Sequence, residues 1–202
     1  MVSNYFFEKV NPMHPDKIAD RIAGAMVDLA YKKNDKKPIC AFEVLIGHGE
    51  CNIIGETNVL FSEEELKSIV HRIAKDNTIS VHTNLVCQDS LLAENQSQDV
   101  AKCGDNGIFK GTKTNKIEQD FTNLMSLIYE KFPYDGKGII HFSNDFERKI
   151  NKADITICQS NAKEEEIKEI VDFWLDKYKL YLYLKRENLN LKINPLGFWQ
   201  GG

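Results

Sequence analysis

Apolar residues recur at two periods along the chain. From Pro15 to about Lys33, the residues Ile18, Ile22, Met26 and Leu29 return at helical spacing, and Pro15 suits a first helical position. Pro38–Ile46 and Asn52–Leu60 read as strands joined by the turn Gly47-His48-Gly49-Glu50. Ser62 and Glu65 have the spacing of a capping box and open a helix carrying Leu66, Ile69, Val70 and Ile73. Thr78–Cys87 reads as a strand, and residues 88–116 are polar and aperiodic. A helix near Ile117–Phe132 puts Phe121, Leu124, Met125 and Ile128 on one face. Strands near Gly138–Phe142 and Ile155–Gln159 follow, then a helix from Glu164 to Tyr178 with Ile167, Ile170, Val171, Trp174 and Leu175 inward. Tyr181–Leu184 and Leu191–Ile193 are short final strands.

The order helix, two strands, helix, strand occurs twice. It predicts an α+β fold of two similar units, each a mixed sheet with helices on one face. The expected division falls near residues 100–116, giving a unit over 1–100 and a second, incomplete one over 101–202.

Composition narrows the function. The 202 residues are 42% hydrophobic, enough for a real core, and 28% charged with a net charge of −4, which argues against a general nucleic-acid binder. No apolar run reaches the roughly 20 residues that span a bilayer, and Met1-Val2-Ser3-Asn4-Tyr5 has no basic patch followed by an apolar block, so no secretory signal is expected. Cys40, Cys51, Cys87, Cys103 and Cys158 are an odd number without Cys-x-x-Cys spacing, as expected of reduced thiols in a cytoplasmic protein.

The strongest chemical signal is His14-Pro15-Asp16-Lys17-Ile18-Ala19-Asp20, which sets an imidazole, a carboxylate and an ammonium at a helix N-terminus. Free N–H groups and the helix dipole attract anions there. A single carboxylate such as Asp16 suits Mg²⁺, which binds through one or two carboxylates plus phosphate oxygens. An ordinary helix start carries some of the same residues, so other motifs must decide. Ile54-Gly55-Glu56 puts a carboxylate at a strand end, where it suits an ammonium. Gln96-Ser97-Gln98-Asp99-Val100, Gly104-Asp105-Asn106-Gly107, Asp135-Gly136-Lys137 and Ile193-Asn194-Pro195-Leu196-Gly197-Phe198-Trp199 follow in order.

In this order the motifs resemble those of methionine adenosyltransferases (S-adenosylmethionine synthetases), over their N-terminal half. The resemblance runs from Phe7-Glu8 and Val10, similar to the family's lead-in strand, to Gly202. It implies formation of S-adenosylmethionine from ATP and L-methionine with cleavage of tripolyphosphate, using Mg²⁺ and K⁺. It further implies that His14 and Lys137 are catalytic. His14, Lys17, Asp135, Lys137 and Trp199 (or Phe198, one register away) would bind ATP, and Glu56, Gln98 and Asp105 methionine. Asp16 would hold Mg²⁺. Cys158-Gln159-Ser160 matches a Ser-Thr-Gln-His stretch only weakly.

The departures are informative. Asn11-Pro12-Met13 replaces the usual Ser-Glu-Gly, and only Ala101, Lys102 and Cys103 separate two motifs that a long mobile loop normally joins. The turn at Gly47–Glu50 is longer than the family's. The Glu expected after Cys40 is Ala41; Glu43, on the same strand face, is the substitute candidate for K⁺. The family's C-terminal unit, with further cations for the triphosphate, is not in these residues. The expected partner is therefore a second copy or a complementing C-terminal chain, over an apolar sheet face. The expectation is a truncated or split enzyme with little turnover alone; the alternative is a shortened, non-catalytic relative acting as a partner or regulatory subunit.

Overall fold

A computed structural model describes residues 3–34, 38–91, 116–144, 150–178 and 186–201. The elements run β1 (Ser3–Val10), α1 (Pro15–Lys33), β2 (Cys40–Gly47), β3 (Glu50–Thr57), α2 (Glu63–Ala74) and β4 (Ser80–Val86). After them come α3 (Lys116–Lys131), β5 (Gly136–Asn144), β6 (Ile150–Gln159), α4 (Glu164–Lys177), a single 3-10 turn (Arg186–Asn188) and β7 (Leu189–Ile193). The expected strand Tyr181–Leu184 lies outside the described residues. Among the described residues, no helix is long and apolar enough to cross a membrane.

The sheets are β2-β3-β4 and β1-β5-β6-β7. In the first, β2 pairs antiparallel with β3 and β3 parallel with β4. In the second, β5 pairs antiparallel with β6 and β6 parallel with β7. The two units thus repeat one order, helix-strand-strand-helix-strand, with the same pairing senses. β1 is the addition, running antiparallel along β5 from Ser3↔Asn144 to Val10↔Lys137. The compact units are therefore residues 1–14 with 113–202, and residues 15–112. β1, expected within the unit 1–100, belongs to the sheet of the other unit.

Local chemistry explains the unit of residues 15–112. β2 and β3 meet through a two-residue turn, His48-Gly49, in which both residues have positive φ (54° and 80°). Such turns match the twist of an antiparallel pair; the hairpin is tight, not extended. Ser62 caps α2 as its sequence implies: Glu65 N donates to Ser62 Oγ (3.2 Å) and Ser62 N to Glu65 Oε2 (2.8 Å). On α1 the buried stripe is Ile18, Ile22, Met26 and Ala30, with Leu29 half-buried beside it. On α2 it is Leu66, Ile69, Val70, Ile73 and Ala74. These residues cover Ile46, Cys51 and Ile53 of the sheet.

In the other unit, Phe121, Leu124, Met125 and Ile128 of α3 and Ile167, Val171, Trp174 and Leu175 of α4 form one core with Ile140, Phe142, Ala153, Ile155 and Ile157. The buried Trp174 Nε1 donates to Asp120 O at 2.6 Å, so its one polar atom is satisfied. Each sheet has helices on one face and leaves the other open. Leu45 (73% exposed), Ile54 and Val86 stand on the open face of the first sheet, between Glu43, Asn52, Glu56, His82 and Asn84. Phe6 and Ile139 stand on that of the second. The expected apolar face is thus broken into apolar positions among polar ones.

Candidate functional site

Strand direction brings several expected site residues to one end of the four-stranded sheet. The C-terminal ends of β1, β6 and β7 and the N-terminal end of β5 lie together there, through Val10↔Lys137, Gly136↔Gln159 and Ile157↔Ile193. His14 follows β1 on a turn in which His14 N donates to Asn11 O at 3.1 Å. Asn11 N donates in turn to Gly136 O at 2.9 Å. Asp135 immediately precedes β5, Lys137 is its second residue, and Trp199 lies in the segment after β7. Asn161 N donates to Trp199 O at 3.0 Å, which ties that segment to the end of β6. Trp199 is half-buried and the neighbouring Phe198 exposed.

Buried amide side chains hold this end together. Gln159 is fully buried, and its Nε2 donates to Asp135 O (2.9 Å), Ser160 O (3.2 Å) and Phe132 O (3.3 Å). Its Oε1 accepts from Asn11 Nδ2 at 3.2 Å, and the same Nδ2 donates to Tyr134 O at 2.6 Å. Asn194 Oδ1 accepts from Gln159 N (2.8 Å), while Asn194 Nδ2 donates to Gln159 O (3.1 Å) and Ala162 O (3.2 Å). Buried amides must be paired in this way or they cost roughly 1–3 kcal/mol each. Gly136 fits because it has no side chain: a Cβ there would lie 2.1 Å from Gln159 Oε1 and 2.5 Å from Asn11 Nδ2.

Lys137 is on the open face and pairs with Glu8 Oε1 at 2.8 Å. Both side chains are about half exposed, so the pair is worth at most about 1 kcal/mol and is exchangeable for a more highly charged anion. Burial pushes the thiol of the cross-strand Cys158 up; the Lys137 ammonium opposes that shift and the Asp135 carboxylate adds to it. The charges of Lys137 and Asp135 thus both reach Cys158. Further along this face, Asp154 accepts from Asn190 Nδ2 (2.9 Å) and pairs with Lys152 (3.1 Å) and His141 (3.5 Å), which holds its carboxyl below the usual range, the Asn190 bond first.

The unit of residues 15–112 holds the other described candidates. Asp16 is exposed in the first turn of α1, with Lys17 half-buried next to it. Glu56 is the penultimate residue of β3, opposite Ala41. Glu43 lies opposite Ile54 on the same open face, diagonal to Glu56, a spacing of roughly 7–8 Å between backbones. Gln98 and Asp105 lie outside the described residues.

Among the described residues, no group of three or more His, Cys, Asp or Glu side chains converges on one point. Asp16 fits Mg²⁺ as one carboxylate on an ion that takes its remaining ligands from phosphate and water. Glu43 supplies one oxygen toward K⁺ and no cage, so these residues alone do not fit that ion.

The sequence reading missed Asn11, Gln159 and Asn194. A signal was there: the alternation Ala153, Ile155, Ile157 runs on to Gln159, so the amide shares the buried face.

Two helix-strand-strand-helix-strand repeats, each a mixed sheet covered on one face, make an α+β fold, which an S-adenosylmethionine synthetase of known structure shares. An S-adenosylmethionine synthetase from Campylobacter jejuni superposes with a TM-score of 0.70 over 99% of this chain and 60% of that one, at 17% identity. Residues 4–99 match the family model "S-adenosylmethionine synthetase, N-terminal domain". The S-adenosylmethionine synthase of Mycoplasma capricolum is 27% identical over 182 residues, 81% of this chain and 46% of its own length. That of Rhodopseudomonas palustris is 26% identical over 204 residues, 85% of this chain and 50% of its own. The chain thus spans about half the length of the curated relatives it matches and resembles their N-terminal half.

Proposed function

We propose that this chain supplies the N-terminal half of a methionine adenosyltransferase site, forming S-adenosylmethionine from ATP and L-methionine. The observation that carries the reading is the end of the four-stranded sheet. There the turn bearing His14, the Asp135–Lys137 corner and the Trp199 segment are joined by hydrogen bonds. In the proposed reaction the methionine sulfur attacks C5′ of ATP. The S–C bond forms as the C5′–O bond breaks, and the electron pair leaves on the tripolyphosphate, which is then hydrolysed. A thioether sulfur needs no general base, so the protein's work is alignment and stabilisation of the leaving charge.

In this reading His14 and Lys137 face the leaving phosphate oxygens, and Lys17 adds a further cation. Asp135 accepts from the ribose, and Trp199 stacks on adenine. Glu56 pairs with the methionine ammonium, with Gln98 and Asp105 completing that pocket. Asp16 would hold Mg²⁺, which when bound neutralises triphosphate charge. The division of labour implies low turnover from these 202 residues alone, since relatives twice as long share the same N-terminal half. The other half would come from a second chain or from further sequence.

The test is to incubate the purified chain with ATP, methionine, Mg²⁺ and K⁺ and to measure product and phosphate release. We expect little turnover alone and recovery when a chain carrying a relative's C-terminal half is added. Turnover in the usual enzyme range of about 1–10³ s⁻¹ without it would refute the division of labour. Neither turnover, recovery nor ATP binding would sink the enzymatic reading; retained ATP binding without recovery would favour a non-catalytic, regulatory relative.

A further inference from the structure

We infer that Asn11 and Gln159 are positioning residues of the ATP side of the site, an inference that rests on the function proposed above. Neither side chain is available to a ligand: Asn11 is 2% exposed and Gln159 fully buried. The Gln159 amide and Asn11 Nδ2 donate to carbonyls at Phe132, Tyr134, Asp135 and Ser160, all in the turns at the sheet's end. Asp135 O alone accepts from Gln159 Nε2 (2.9 Å), Ser160 N (3.0 Å) and Ser160 Oγ (3.1 Å).

A lone turn needs no such convergence. The distribution makes sense if the turns carry groups that must be held within a fraction of an ångström. Asn11 links the turn bearing His14 to the corner bearing Asp135 and Lys137, and Gln159 links that corner to β6. Asn161 N, next in the chain after Ser160, then donates to the Trp199 carbonyl. Together they couple the candidate phosphate, ribose and adenine contacts of one unit through side chains that touch none of the ligand. Groups aligned in this way make a misplacement costly even when the mutated residue is remote from the chemistry.

The experiment uses the full chain with Asn11→Ala and, separately, Gln159→Leu. Amide hydrogen exchange is read at Ser160 and Asn161, with Ile155 and Ile157 in the β6 ladder as internal controls. Calorimetry with Mg-ATP and with methionine gives affinities at a temperature where the controls stay protected. We expect exchange at Ser160 and Asn161 to rise about tenfold and ATP affinity to fall on the order of tenfold, the worth of one or two lost hydrogen bonds. Methionine affinity should be unchanged. Unchanged exchange at Ser160 and Asn161 in the folded variants would overturn the inference. So would an equal rise at Ile155 and Ile157, which marks a merely structural role, or undiminished ATP affinity. Should Gln159→Leu fail to fold, Asn11→Ala decides alone. Should the unaltered chain bind no ATP, the functional reading falls, and the exchange pattern still shows whether Asn11 and Gln159 hold these turns.

Discussion

Gly55 is where a single methyl group should damage the first sheet most. It faces Phe42 across the β2–β3 ladder, and a Cβ built on it lies 2.2 Å from Ala41 O, 3.0 Å from Phe42 Cδ1 and 3.2 Å from Ala41 C. The nearest atom is backbone, so no rotamer change relieves the contact. Opening 2.2 Å to a tolerable 3.0 Å moves the Ala41 peptide by about 0.8 Å against a strand it is hydrogen-bonded to. Overpacking of this kind costs about 1–3 kcal/mol, and loosening one ladder bond adds about 0.5–1.5 kcal/mol. Loss of glycine's freedom in the unfolded chain offsets about 0.4–1 kcal/mol. The net for Gly55→Ala is a destabilisation of about 2–3 kcal/mol.

In a unit the size of residues 15–112 each kcal/mol moves Tm by about 4–8 °C, so the expected fall is roughly 8–24 °C. The control is Gly24→Ala in exposed α1, where a Cβ meets nothing within 4 Å. Helix propensity there favours alanine by about 0.5–1 kcal/mol, so Tm should rise. Circular dichroism melts of both variants check the pair. A Gly55→Ala transition within about 2 °C of the unaltered protein would mean that β2 gives way freely, and the steric argument would be wrong.

Glu65→Gln should lower Tm at neutral pH. The Lys33 ammonium and the Ser62 amide hold the Glu65 carboxyl below its ordinary value of 4.5. Because the folded-state value is depressed, the stability it contributes is complete above the ordinary value and is lost as pH falls through the folded one. Melts of the two proteins should therefore converge in acid, and a gap that widens there would contradict this. Glu8→Gln removes the carboxylate that pairs with Lys137. It should change stability by less than about 1 kcal/mol and strengthen tripolyphosphate binding a few-fold by calorimetry. Weaker binding would remove Lys137 from the phosphate site.

What the sequence made legible were features with local causes. The capping spacing of Ser62 and Glu65 and the stripes of Ile18, Ile22 and Met26, or of Phe121, Leu124, Met125 and Ile128, depend on neighbours three or four residues away. The twice-repeated element order followed from those. What escaped was non-local. β1 was recognisable as a strand, but its partner β5 lies at the far side of both α1 and the whole first sheet in sequence, so a division near residue 100 put it in the wrong unit. Motif order singled out the candidate residues of the sheet's end, whereas Asn11 and Asn194 stand just past the ends of β1 and β7. Each is bonded to Gln159, 148 and 35 residues away in sequence, which no local window contains.

The repeat explains why the candidate residues fall where they do. Antiparallel pairing puts Cys40 opposite Thr57 and Ala41 opposite Glu56 in one sheet, and Gly136 opposite Gln159 and Lys137 opposite Cys158 in the other. Laid on one another, the repeats make Ala41 equivalent to Lys137 and Glu56 to Cys158. At these equivalent positions each unit carries one charged residue on its open face, in opposite strands and of opposite sign: a carboxylate suited to an ammonium, and an ammonium suited to a phosphate. The buried position beneath is also equivalent. In the first unit it is Thr57, whose hydroxyl accepts from Val59 N at 3.0 Å, while Asn58 Oδ1 accepts from Ile39 N at 2.9 Å. In the second it is Gln159, which reaches four chain segments. A short side chain holds its own turn; a long amide holds its neighbours' turns as well. The larger network stands where the reading places the larger substrate, since ATP needs phosphate, ribose and adenine contacts aligned at once and the methionine ammonium needs one carboxylate. Replacing Thr57 by Ala should for that reason disturb no more than its own turn and the cross-strand Cys40, whereas shortening Gln159 or Asn11 should loosen the Asp135, Ser160 and Trp199 segments together.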